Sequence, residues 1–295
     1  MTPPPLVLDT DASVGPLPGE IRIPLSDDWR EAVRFGCSQS TLQARMDGLE
    51  PLMPSFSGHG TVFMGSGDFH HLSLPLILRC LHTQRQPVEI VVLDNHPDNM
   101  RFPWGVHCGS WVRHVALLPE VAHMHVIGIT SNDLSLGHAW EHQLAALRAG
   151  KLTYWSCGVN TRWARYLGLG ERFRSFSHTD ALITAAAGQL AQSCHPVYLS
   201  IDKDVFAPDV VRTNWDQGQM REAHLEQLLP ALRGRLVGSD VTGDVSTWQY
   251  RSAWKRWLSA ADGQKTEREE AELPRWQARQ HAFNLQLLDW LAALR

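Results

Sequence analysis

The sequence predicts a three-layer α-β-α fold with a mostly parallel central sheet, and three observations carry the prediction. Strand-like and helix-like stretches alternate along the 295 residues, and helices of ten or more residues between strands imply a parallel sheet covered on both faces. Ile90 to Leu93 is an unbroken apolar run bounded by polar residues, as expected of a buried strand in such a sheet. Three strand ends carry ligand-type side chains: His70 after one, Asp94, His96 and Asp98 after the next, and Asp202 and Asp204 after a later one. Ligands of open α/β sheets gather at the carboxyl ends of strands, so all three observations describe one architecture.

Taken in order, Leu6 to Leu8 reads as a short strand. Asp9 and Asp11 behind it read as a turn rather than as ligands, because aspartate favours turns. Residues 12–58 are rich in Pro, Gly, Ser and Asp and predict little beyond a helix near 38–49. Thr61 to Met64 is strand-like, and Leu72 to Leu81 reads as a buried helix. Glu89 to Leu93 is the central strand, followed by a helical stretch around 108–118. His125 to Ile129 is another strand, Leu136 to Arg148 an amphipathic helix, and Leu152 to Ser156 a further strand. Thr179 to Gln192 is a helix with an Ala-rich face, and Pro196 to Ile201 an apolar run ending in acids. Arg221 to Leu232 is a helix, and Leu236-Val237-Gly238 a strand leading to Asp240 and Asp244. The charged segment 262–272 is expected to be a solvated connection before a last helix at about 275–294. Neither an internal repeat nor a domain boundary stands out, so the expectation is one α/β domain over 1–295.

Apolar content of 43% and charged content of 20% describe an ordinary globular protein. The net charge of −4, with no dense Lys/Arg cluster, argues against a nucleic-acid partner. Five cysteines stand singly, without a CxxC pair. That argues against a disulfide framework and a structural zinc site, and it fits a reducing compartment. No run of about 18 apolar residues is present, and the start Thr2-Pro3-Pro4-Pro5 lacks a basic-then-apolar layout. The expectation is a cytoplasmic enzyme with no membrane partner. Most of the twelve tryptophans have no functional explanation at this level.

The ligand-type residues decide the functional reading. Alternate side chains of a strand point the same way, so Asp94 and His96 should emerge together at its end. Asp-x-Asp alone is usually a loop, and a lone His70 is more often structural. Their joint occurrence on three strand ends of one sheet is much harder to obtain by chance. Four carboxylates converging without a cation would repel one another and suffer strong desolvation. Oxygen-rich ligation with two imidazoles suits hard or borderline cations such as Mn²⁺.

The segments Gly67-Asp68-Phe69-His70, Asp94-Asn95-His96-Pro97-Asp98 and Ser200-Ile201-Asp202-Lys203-Asp204 resemble the metal-binding signatures of the ureohydrolase family. That family comprises arginase, agmatinase, formimidoylglutamase and relatives, and its signatures run Gly-Gly-Asp-His, Asp-Ala-His-x-Asp and Ser-x-Asp-x-Asp-x-x-Asp-Pro. His70-His71-Leu72-Ser73-Leu74-Pro75 resembles its His-Ser-x-Thr-Leu-Pro, which selects His70 over His71 as first ligand. Order and spacing agree from about residue 60 to 245. The resemblance implies an arginase-like fold and two divalent ions, of the Mn²⁺ type, roughly 3.5 Å apart and sharing a water. Asp94 and Asp202 would bridge the ions, His70 and Asp98 would complete one, and His96 with Asp204 the other. It implies hydrolysis of a non-peptide C–N bond in a guanidino or amidino compound by metal-bound hydroxide, with His107 and Asp98 as catalytic residues. His107 occupies the place of a histidine that protonates the leaving amine. A small-molecule substrate and, by analogy, a homo-oligomer are implied as well.

The substrate shell departs from the family pattern. Where the family has Gly-Thr-Pro-x-x-Gly-Gly, this chain has Thr213-Asn214-Trp215-Asp216-Gln217-Gly218-Gln219. Where the family places a Glu three residues after an Asp, here Asp240 is followed by Val241-Thr242-Gly243-Asp244. Asp244, Trp215 and Asn214 are therefore the expected substrate-binding residues. Two other readings stay open. One is a deacetylase-like amidohydrolase holding a single zinc on Asp94, His96 and Asp202, and the other a non-catalytic protein that keeps the metal site.

Overall fold

Alternation along the strands sets the architecture. In the central strand, Ile90 and Val92 pack into the core on one face of the sheet and Val91 and Leu93 into the core on the other, all fully buried. A strand apolar on both faces must be covered twice, and here helices cover each face. The computed structural model describes residues 3–261, 264 and 271–295. Of the expected solvated connection at 262–272, only 264, 271 and 272 lie within them.

The strands are β1 (Leu6–Asp9), β2 (Ile21–Pro24), β3 (Gly36–Cys37), β4 (Val62–Phe63), β5 (Val88–Leu93) and β6 (Val106–His107). They continue as β7 (Val121–Ile129), β8 (Leu152–Cys157), β9 (Phe173–Phe176), β10 (Val197–Asp202) and β11 (Leu236–Thr242). Nine form one sheet in the order β2-β1-β4-β11-β10-β5-β7-β8-β9, and every pairing in it is parallel. β3 and β6 form a small separate antiparallel pair.

The helices are α1 (Asp27–Val33), α2 (Gln39–Leu49), α3 (Ser73–Leu81), α4 (Val112–Ala116) and α5 (Ala145–Arg148), then α6 (Trp163–Tyr166), α7 (Thr179–Leu190), α8 (Glu222–Leu228), α9 (Ala253–Ala261) and α10 (Leu273–Ala292). The first six contribute Trp29, Leu42, Ile77, Val115, Leu147 and Trp163 to the core on one face. On the other face α7, α8 and α10 contribute Ile183, Leu225 and Leu287. No helix among the described residues is long and apolar enough to cross a membrane.

Two differences from the sequence expectation matter for the site. The stretch from Leu136 to Arg148 is not one helix. It holds a single 3₁₀ turn (Leu136–His138) and the short α5, with His142 bridging back to Met100 between them. The loop is tied to its own start, because His142 Nε2 donates to the Asp133 carbonyl at 2.9 Å. The helix expected at 221–232 ends at Leu228 and continues as a 3₁₀ turn through Leu232, where Pro230 lacks the N–H an α-helix needs. In β7, Gly128 holds φ at +107° at a register shift, and a Cβ there would meet Val205 Cγ2 at 2.3 Å. That close approach seats β7 against the segment following β10.

Candidate metal centre and active site

β10 lies between β5 and β11, so the segments that leave β5 and β10 emerge side by side. The residues after β4 reach them through a 3₁₀ helix (Gly67–Leu72), begun by Ser66, whose hydroxyl accepts the Asp68 N–H. His70, Asp94, His96, Asp98, Asp202 and Asp204 all line one cavity of about 380 Å³.

Within the cavity, two sets of donor atoms lie close enough to share a cation each: His70, Asp94 and Asp202 in one, Asp94, His96 and Asp204 in the other. Asp94 belongs to both, as expected of a bridging carboxylate, while Asp202 belongs to the first. Asp98 touches the first set, its Oδ2 being 2.9 Å from His70 Nδ1.

Local backbone fixes the carboxylates. Asp94 Oδ1 accepts the His96 N–H at 2.6 Å, Asp202 Oδ1 that of Asp204 at 3.0 Å, and Asp204 Oδ1 that of Asn95 at 3.0 Å. In each case the second oxygen is left for the centre. Asp94 Oδ2 is buried without an aligned hydrogen-bond donor, 3.1 Å from His70 Nδ1. Asp98 sits at φ +45°, a left-handed conformation rare outside glycine, and its Oδ2 accepts the Trp111 indole N–H at 2.7 Å.

Both histidines are oriented from behind. His70 Nε2 lies 3.0 Å from the Ser200 hydroxyl, which itself donates to Asp240 at 2.7 Å. Ser200 is therefore the acceptor, Nε2 carries the proton, and Nδ1 faces the carboxylates. Tyr198 and Ser73 donate to the same Asp240. His96 Nε2 donates to Asp216 at 2.7 Å, and its Nδ1 lies 3.0 Å from Asp204 Oδ2. A ligating histidine needs this arrangement, one ring N–H fixed by an acceptor and the other nitrogen free to coordinate.

The electrostatics agree. Burial, and after it the charge of Asp94, pushes the carboxyls of Asp98 and Asp204 up to about 7. Burial and Asp204 push that of Asp202 well up. Burial opposes charge on His70 and His96, but their carboxylate partners outweigh it and raise both. Asp94 is held low against burial by the two imidazoles beside it, His70 and His96. Buried carboxyls driven toward neutrality, with protonated imidazoles among them, form a donor set short of positive charge. The residues present fit two divalent ions: oxygen-rich, with one imidazole for each.

His107 lines the cavity beside Cys108 and Gly109. Its Nδ1 accepts the Gly109 N–H at 3.0 Å, so the proton sits on Nε2, and burial, with Arg113 nearby, pulls its pKa down to about 3. The imidazole is neutral at pH 7. Trp215 forms another wall, its indole N–H donating to Asp68 at 3.2 Å and its ring stacked on Phe35. Asp68 is paired in turn with the buried Arg34.

Two expected substrate-binding residues lie elsewhere. Asp244 does not line the cavity. It is buried, and its Oδ1 lies 2.8 Å from Lys203 Nζ and accepts from Asn284 at 3.1 Å. Asn214 is also buried, its amide hydrogen-bonded to the Ser246 backbone on both sides. Both side chains are turned to internal partners rather than to the cavity. Asp216, Asp133, His138 and Glu141 line the cavity and were not singled out from the sequence. Asp133 lies shortly after β7, so a polar cluster at a fourth strand end was the signal available.

Comparison with solved structures bears on the fold. Over its full length the chain superposes on proclavaminate amidino hydrolase from Streptomyces clavuligerus with a TM-score of 0.54 and 18% identity, covering 93% of that chain. The fold is that of the ureohydrolases. Agmatine ureohydrolase of Thermoplasma volcanium gives a TM-score of 0.52 at 12% identity, with 99% of this chain and 90% of that one covered. Trypanosoma cruzi formiminoglutamase with Mn²⁺ gives 0.50 at 8% identity, with 93% and 74% covered. At these identities the likeness is one of ureohydrolase fold. By sequence, an uncharacterized protein of Thermotoga maritima is 27% identical over 225 residues, 75% of this chain and 70% of that protein. No protein-family model matches the chain.

Proposed function

We propose that the chain is a metal-dependent hydrolase of a non-peptide C–N bond in a guanidino or amidino compound. The observation that carries this reading is the pair of three-residue donor sets sharing Asp94 at the carboxyl ends of adjacent parallel strands. The ureohydrolase fold supports it.

His70, Asp94, Asp98 and Asp202 would hold one divalent ion, and Asp94, His96 and Asp204 the other. Bound there, two such ions supply Lewis-acid charge that makes water more acidic and the carbon under attack more electrophilic. The chain's own residues do the rest. Ser200 and Asp216 hold the two imidazoles in the ligating tautomer. Trp215 offers a planar wall against which a planar guanidinium can stack. His107, neutral with its N–H on Nε2, can donate a hydrogen bond from the cavity wall to a substrate nitrogen, and it passes a proton to the departing amine only after its ring has taken one up.

The test is metal content and product release from the full chain loaded with Mn²⁺. About two ions per chain, with urea or ammonia released from a guanidino and amidino panel, is the expected result. Asp94→Asn and Asp202→Asn should each abolish turnover. No bound metal after loading overturns the reading. One zinc with activity on acetyl-lysine would support the deacetylase-like alternative, and two ions without any hydrolysis the non-catalytic one.

A further inference from the structure

The cavity has lost the acid expected on the β11 side. Three residues after Asp240 stands Gly243, at φ +90°, where a Cβ would meet Asp202 Oδ1 at 2.5 Å and Lys203 N at 2.7 Å. No side chain fits there without displacing a proposed ligand. The next acid, Asp244, is consumed by Lys203. A substrate cation finds no carboxylate from β11.

The carboxylates stand on other walls. Asp133 and Glu141 come from the loop after β7, on the far side of β5 from β11, and Asp216 from the segment after β10. The loop is anchored rather than floppy: Arg101 N–H donates to the Glu141 carbonyl at 2.7 Å, and the Trp163 indole N–H to the Leu134 carbonyl at 2.9 Å. Glu141 accepts from His138 Nδ1 at 3.1 Å. The Asp133 carboxylate has no hydrogen-bond partner among the described residues, and no Lys or Arg among them lines the cavity.

The charge balance follows directly. Two divalent ions would neutralise the four ligand aspartates, and Asp216 is taken up by His96 and Asn95, which leaves Asp133 and Glu141 on the cavity wall with no Lys or Arg beside them. An anionic group entering this space meets repulsion with nothing to pair it, whereas a cationic one gains an uncrowded carboxylate.

We infer that the substrate is a guanidino or amidino compound whose far end is cationic rather than a carboxylate, and that Asp133 and Glu141 read that charge from the β7 side. The inference rests on the proposed function only in taking this cavity as the substrate site.

Its test is binding, measured apart from turnover. The Mn²⁺-loaded full chain is titrated calorimetrically with two guanidino compounds of equal chain length, one ending in a primary amine and the other in a carboxylate. The amine-ended compound should bind at least tenfold more tightly. Asp133→Asn combined with Glu141→Gln should erase that preference, and Asp133→Lys should shift it toward the carboxylate. Equal binding, reversed preference, binding of neither probe, or a preference that survives both variants overturns the inference. Urea release on the same samples reports separately on hydrolysis: a charge preference without urea retains the recognition and removes the proposed reaction.

Discussion

Ser200 shows how much of the site is built by residues that never touch a substrate. It is fully buried, and its only evident task is to accept the His70 N–H while passing the constraint to Asp240. Ser200→Ala should weaken binding of one of the two ions by about 10–100-fold and leave the other nearly unchanged, as read by chelator competition. Asp244→Asn should behave differently. It breaks a fully buried ion pair from one side and leaves Lys203 unpaired, so a loss of about 3–5 kcal/mol in denaturant unfolding is expected, with little change in KM. A large KM effect at full stability would return Asp244 to the substrate. These residues also mark the limit of what the sequence shows. The metal-type ligands were legible because each motif is short and closes a strand. Asp240, Tyr198 and Asp216 act across strands and loops whose meeting depends on sheet order. Nothing near Asp244 in sequence reveals that Lys203 turns inward to take it.

At the scale of elements, α10 secures the face of the sheet opposite α3. Its residues Phe283, Leu287 and Leu291 are buried at helical spacing against the strands. Leu287→Ala should cost about 2–5 kcal/mol in chemical denaturation. Long periodic elements such as α10 and the apolar strands β5 and β10 could be read before folding, with ends displaced by a residue or two. Short ones could not. β2 (Ile-Arg-Ile-Pro) and β9 (Phe-Arg-Ser-Phe) lie at the sheet edges and carry too few apolar residues to signal a strand. The stretch 136–148 has an amphipathic pattern, yet its backbone is spent on tying the β7 loop to the loop after β5, and tertiary bonds override local periodicity.

For the molecule as a whole, folding and ion binding should be coupled. A buried donor set short of positive charge is a standing cost to the folded state, and any ion that binds only this state stabilises it by mass action. Mn²⁺ at one hundred times its dissociation constant should add about 2.7 kcal/mol per site, seen as a rise in thermal midpoint that EDTA reverses. Asp94→Asn, which removes the residue common to both donor sets, should abolish most of that rise. The donors are drawn from residue 70 to residue 204, on strands that become neighbours only when β10 inserts between β5 and β11. During synthesis, therefore, a ribosome-bound fragment that has released β5 but not β10 offers each ion an incomplete donor set, lacking Asp202 and Asp204, and full ion uptake times the arrival of the tenth strand.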